Sequence, residues 1–268
     1  MAFDFTPVVA AWIIVLRLLV AAVLDHADAV IMAMAGLTLA GFVKGLTGLG
    51  YASCALPFLA LAFGVEPAMA LVVAPAVATC FSLAASAGGW RQTARAFAPL
   101  YIAMLPGIAV GVMVLIAVDP VLPTRILGVV MITYGVLSLW RPDLRLSNDG
   151  RLLFQIPAGF ANGLLTGLTG SQVMPLLPYV LALGLPGTMS VQVINLGVAI
   201  ASLVLGIGLC IAGVMTPLLT AGTIGAIPLA LLGVAIGDRL RRRLPERHIR
   251  SAMLVVLIGM GVAIVTRA

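Results

Sequence analysis

Nine apolar segments follow one another along the chain, at residues 7–24, 29–64, 67–89, 97–118, 122–140, 152–183, 186–212, 215–237 and 249–265. Runs of about 20 apolar residues span a hydrocarbon core of roughly 30 Å as helices, and a backbone that crosses lipid must satisfy its own hydrogen bonds. The chain is therefore expected to be an all-α integral membrane protein, one membrane domain over residues 1–268. Charged residues make up 9% of it, against about 25% in soluble domains.

Two segments do not fit a single spanning helix. Residues 29–64 and 152–183 are too long for one crossing and too short for two with a loop. Both are interrupted in the middle, by KGLTGLG and by NGLLTGLTGS. GFVKGL-TGLG from Gly41 matches GFANGLLTGLTG from Gly159, which sets Lys44 opposite Asn162 and Gly45 opposite Gly163, an offset of 163 − 45 = 118. Met69 matches Met189 and Pro75 falls opposite Asn195 at an offset of 120, while Pro106 and Gly111 match Pro228 and Gly233. These matches predict two repeats, 29–140 and 152–265, joined by a cytoplasmic linker at 141–151 behind one extra N-terminal helix at 7–24.

The positive charges orient the repeats. Net charge is +6, and the arginines stand in short loops, where they act as topology signals and not as a nucleic-acid face. Arg239, Arg241, Arg242, Arg243, Arg247 and Arg250 mark one loop as cytoplasmic. Counting crossings from it and from the basic linker puts both ends of 152–183 inside and both ends of 29–64 outside. Each repeat is then a broken or re-entrant helical hairpin plus three transmembrane helices, and an odd number of crossings inverts the second repeat relative to the first. Inverted repeats with broken helices near the midplane are a common plan of secondary transporters.

A helix that starts inside a membrane carries unpaired N–H groups and a partial positive charge, which suits an anion. The candidate site residues are Lys44, Thr47, Gly48, Gly50, Tyr51 and Ser53 in the first break. In the second they are Asn162, Thr166, Gly167, Thr169, Gly170, Ser171 and Gln172, with Asn195 from the following helix. Glycines admit a close backbone approach, and hydroxyls donate to ligand oxygens. Lys44 is the only lysine in the chain, and a lysine at membrane depth costs about 2.5–3.5 kcal/mol on insertion scales. Thr79, Ser82 and Gln192 are further polar positions, Gln192 reading first as an interhelical hydrogen bond. Pro75 is expected to kink its helix and free a carbonyl.

Other chemistries lack their residues. Asp25, Asp28, Glu66, Asp119 and Asp238 all fall at segment boundaries, so a carboxylate proton relay or sodium site has no support. His26 and His248 lie outside the spans, and Cys54, Cys80 and Cys210 are scattered, reading as small apolar residues, so no metal site is expected. There is no Walker loop and no catalytic triad. Neither a cofactor nor an enzyme activity is expected.

The glycine-rich GFVKGLTGLG followed by Pro57, its second copy GFANGLLTGLTGSQVMP, and two halves of this length resemble the sulfite exporter TauE/SafE family of membrane permeases. The resemblance covers nearly the whole chain behind the first helix. It implies a multi-pass permease of the bacterial inner membrane for sulfite, organosulfonates or related small organic anions, with export favoured. Tyr51 departs from the small residue expected in the break, and would narrow the pocket or contact an organic substrate. The partners implied are a small anion and the lipid bilayer, and a homo-oligomer is compatible with both. The rival readings are an anion channel with the same site, or a membrane subunit without transport activity of its own.

Overall fold

The computed structural model describes residues 27–87, 90–140, 148–241 and 246–267. They form eleven helices, with no strand among the described residues: α1 (Ala27–Thr47), α2 (Tyr51–Phe63), α3 (Val65–Ala87), α4 (Trp90–Ala96), α5 (Ala98–Ala117), α6 (Val121–Trp140), α7 (Asn148–Thr169), α8 (Leu176–Ala182), α9 (Gly187–Ile211), α10 (Pro217–Arg241) and α11 (Glu246–Arg267). The extra helix predicted at 7–24 and residues 141–147 of the predicted linker lie outside the described residues, and α7 takes in the rest of that linker. Five helices, α1, α3, α5, α9 and α10, are long and apolar enough to cross a membrane.

Both long segments break where the glycines interrupt them. After Thr47 the backbone turns through the left-handed region at Gly48 (φ 77°) and Gly50 (φ 84°), which a side chain would disfavour. The chain then returns along α1 as α2, with Phe58 packed on Gly36. After Thr169 it turns at Gly170 (φ 75°), runs without regular structure to Pro175, and returns through the seven-residue α8. The arms are longer than expected. α1 has 21 residues and α7 has 22, and at about 1.5 Å per residue each rises over 30 Å.

Glycine holds each arm against a partner helix. α1 packs most extensively on α10, and α7 on α5. A Cβ on Gly41 would collide with the Ala230 carbonyl oxygen, one on Gly45 with that of Val234, one on Gly233 with that of Thr38, and one on Gly237 with that of Phe42. The α5–α7 pair repeats this with Gly107 against the Phe160 carbonyl, Gly111 against that of Leu164, Gly163 against that of Met104 and Gly167 against that of Ile108. Residue numbers rise together along both pairs, so the helices run parallel and in backbone contact. This is the small-xxx-small packing by which membrane helices, lacking a hydrophobic drive between them, gain dispersion contact.

The tips correct the register read from the sequence. The glycine contacts alone fit two offsets: Gly107 meets Phe160, Gly163 and Leu164 as Gly233 meets Thr38, Gly41 and Phe42 (offset 122), and also as Gly237 meets Phe42, Gly45 and Leu46 (offset 118). The tips choose 122: Gly48 N–H donates to Lys44 O at 2.7 Å and Gly170 N–H to Thr166 O at 2.8 Å. The GF–GL match at offset 118 is therefore one helical turn out, because three glycines spaced by four in α7 offer two alignments to the two in α1. Lys44 corresponds to Thr166, not Asn162. Gly107 and Gly111 correspond to Gly233 and Gly237, replacing the match of Gly111 with Gly233.

Pro75 interrupts α3 as expected, and another helix repairs it. With no N–H on Pro75, the Leu71 carbonyl loses its intrahelical donor. Thr223 Oγ1 of α10 donates to Leu71 O at 3.1 Å and accepts from Ala74 N–H at 3.1 Å.

Placing a side chain at Gly45 tests the packing. Gly45→Val should destabilise the protein by about 3 kcal/mol or more, since backbone on the facing helix cannot yield as a side chain could. Gly225→Ala, with nothing within 4 Å of the new carbon, should leave stability unchanged or slightly raised. Thermal unfolding of the purified variants in detergent measures both.

Candidate functional site

The first tip brings together seven of the predicted residues, Asn195 of α9 among them, and adds Cys80 of α3. Lys44, in the last turn of α1, is only 1% exposed, and its Nζ donates to Cys80 Sγ of α3 at 3.0 Å. Thr47 Oγ1 lies 3.0 Å from both Val43 O and Leu49 O and accepts from Leu49 N–H at 3.2 Å, closing the helix end. Asn195 of α9 donates to Gly48 O at 2.8 Å and to Val191 O at 2.9 Å, tying the tip to that helix. α2 starts with Gly50 as its N-cap and no side-chain cap. Its first amides precede the first intrahelical bond, Cys54 N–H to Gly50 O at 3.1 Å. A Cβ on Gly50 would meet nothing within 4 Å. In the first turn of α2, the Tyr51 and Ser53 hydroxyls are buried without a hydrogen-bond partner.

These groups are one-sided in their chemistry. The lysine donates, and the uncapped amides donate. Each of the two hydroxyls has a proton to give. The carboxylates with described side chains stand at helix ends or turns: Asp28 and Glu66 in the first turns of α1 and α3, Asp119 after α5, and Asp238 close to the end of α10. Lys44 thus meets a thiol and no carboxylate among the described residues. A buried cation without a counter-charge costs several kcal/mol unless something negative joins it.

The second tip has a different character, because its polar groups bond one another. Thr169 Oγ1 donates to Leu165 O at 2.7 Å and accepts from Ser171 N–H at 3.3 Å, as Thr47 does in the first tip. Thr166 Oγ1 donates to Ser171 O at 3.1 Å, and Gln172 Nε2 to Ser202 Oγ of α9 at 2.8 Å, leaving Gln172 Oε1 without a partner. The Asn162 amide nitrogen donates to the carbonyls of Gln172 (3.2 Å) and Met174 (3.1 Å), satisfying the irregular backbone that follows the break. Gly167 lies inside α7 against Gly111 and not in the break, a correction that follows from the shifted register.

The second tip touches the first hairpin beyond its break: Gly170 packs on Leu56 of α2 as well as on Met69 of α3. Cys80 touches Lys44, whereas Met69, earlier on the same helix, packs on Gly170. Eleven residues of α3 separate those contacts, about 16 Å at 1.5 Å per residue. The remaining candidates serve the scaffold. Gln192 Oε1 accepts from Thr93 Oγ1 at 3.1 Å, joining α4 to α9, and Thr79 and Ser82 donate to carbonyls of their own helix. Cys80 was missed as a contact of Lys44, since 36 residues separate them and no local pattern links them. Thr223 was missed for the same reason.

Apolar helices of membrane-spanning length, packed through glycines around two broken hairpins, are the build of a helical membrane protein. The chain belongs to the sulfite exporter TauE/SafE family, whose family model matches residues 32–264. No curated protein and no solved structure matches it.

Asn162→Leu should cost about 1–3 kcal/mol of stability, because it strips a donor from two buried carbonyls. A lowered midpoint in detergent thermal unfolding is the expected result.

Proposed function

We propose that this chain is a secondary transporter that carries a small oxyanion, sulfite or an organosulfonate, across the bacterial inner membrane, and that the anion binds at the first tip. One observation carries the reading: Lys44 is buried with a thiol for its partner, in the last turn of the arm that leads through Gly48 and Gly50 into the uncapped first turn of α2, where two hydroxyls are unpaired. An anion would supply the missing counter-charge. Its oxygens would take the Tyr51 and Ser53 protons and the amides of the first turn of α2, while Gly48 and Gly50 let the backbone approach it. Thr47 and Asn195 hold the tip in shape. A tyrosine at position 51, in place of a small residue, would narrow such a site and favour a small head group such as sulfite or a sulfonate.

The inverted arrangement of the repeats supports alternating access. α5, α7 and α9 run in one direction: Gly107 and Gly111 follow the carbonyls of Phe160 and Leu164, while Tyr101 and Val112 meet Val193 and Gly208. α1 runs with α10, whose last turn carries Arg239 and Arg241. If those arginines face the cytoplasm, the first tip lies toward the inside and the second toward the outside. With the interior negative, moving one negative charge outward is favoured by about 2.3 kcal/mol per 100 mV, so export requires no titratable group in the spans.

Proteoliposome flux of sulfite, sulfate, thiosulfate, sulfoacetate and acetate tests this. The intact chain should carry at least one sulfur oxyanion saturably, and Lys44→Met should lower that flux by about 20-fold or more, the loss of one buried charge-assisted contact. Unaltered flux in Lys44→Met would defeat the proposed role.

A further inference from the structure

The register of the two halves shows which groups the first tip has that the second lacks. Lys44 corresponds to Thr166 by the tip hydrogen bonds, whereas Tyr51 and Ser53 open α2 and α8 opens with Leu176 and Leu177 after an irregular stretch. In the second tip the polar side chains are largely consumed by local bonds, Thr166 to Ser171 O, Thr169 to Leu165 O and Asn162 to the carbonyls of Gln172 and Met174. In the first tip, two hydroxyls at 1% and 5% exposure have no partner, and a buried ammonium has only a cysteine.

That cysteine is an unusual companion. A thiol is a weak acceptor, so the 3.0 Å contact with Cys80 Sγ orients the ammonium without neutralising it. It engages one of three N–H donors and leaves two for another group. Cys80 is 2% exposed, in the later part of α3, so the contact also fixes Lys44 to a helix outside its own hairpin.

We propose that Cys80 is the positioning residue of the anion site, holding the Lys44 ammonium toward the first turn of α2, and that this site is single: one anion per chain, with the second tip a self-bonded structural counterpart. The proposal deepens the permease reading above and rests on it. Cys80 steers the lysine and need not touch the anion. Removing the thiol lets the ammonium wander from the anion's oxygens, which weakens binding more than it slows the conformational step. A hydroxyl in the same place can accept the same N–H, so serine should do what alanine cannot.

The test measures labelled sulfite flux into proteoliposomes over a range of sulfite concentrations for the intact chain, Cys80→Ala and Cys80→Ser. It is joined by calorimetric titration of each purified protein with sulfite. Cys80→Ala should raise the apparent KM about tenfold, as expected for a misdirected charged hydrogen bond, with maximal flux within about twofold of the intact chain. Cys80→Ser should return KM to within about threefold, and titration of the intact chain should give one sulfite per chain. An unchanged KM in Cys80→Ala, or a Cys80→Ser variant as impaired as alanine, would overturn the positioning role, because a purely packing role would not separate the two small residues. Two sulfites per chain would overturn the single site. Absence of saturable sulfite flux and binding in the intact chain would overturn the sulfite permease reading, and this proposal with it, whereas intact flux with unsplit variants overturns this proposal alone.

Discussion

A hairpin tip buried among apolar helices has to find partners for every polar group it carries, since neither lipid nor packed side chains will supply them. The two tips of this protein meet that demand in different ways. The second spends threonine and asparagine side chains on its own backbone, and Asn162 alone takes two carbonyls. The first closes only its helix end, through Thr47 and Asn195, and keeps a lysine, two hydroxyls and the start of α2 without matching acceptors. An imbalance of donors in a dry site is a demand for a negatively charged guest, and it falls on one half of the protein only.

The glycine contacts make this possible by setting how far each arm extends. Backbone-to-backbone packing of α1 on α10 and of α7 on α5 fixes the arms with little freedom to slide, because each glycine sits against a carbonyl with no room for a Cβ. The arms thereby carry their tips to opposite ends of α3, where Cys80 meets one and Met69 the other. The same register decides that a lysine in one half is a threonine in the other. Pro75 in α3, with Thr223 of α10 bonded to the backbone just before it, lies between these two contact points.

Much of this plan was legible in the sequence. The apolar runs located the long helices nearly to the residue, as 97–118 did for Ala98–Ala117, because lipid-facing helices need little beyond hydropathy and length. The interruptions at KGLTGLG and NGLLTGLTGS marked both breaks, since glycine in the left-handed region is a local property. The register between halves was not legible: Gly159, Gly163 and Gly167 recur every four residues, so strings can align one turn apart and only the geometry of the tips chooses between them. Nor were Cys80 at Lys44 or Thr223 at Pro75, which are contacts between distant helices with no trace in spacing. The short α4 carries too few residues to announce itself by period.

The central claim is that Lys44 at the first tip is what holds the anion. Equilibrium binding of labelled sulfite to the purified protein, with and without Lys44→Met, tests it without reference to transport rates. The account predicts saturable binding that is lost in Lys44→Met while the variant remains folded by thermal unfolding. Binding of equal affinity in the folded Lys44→Met protein would contradict it.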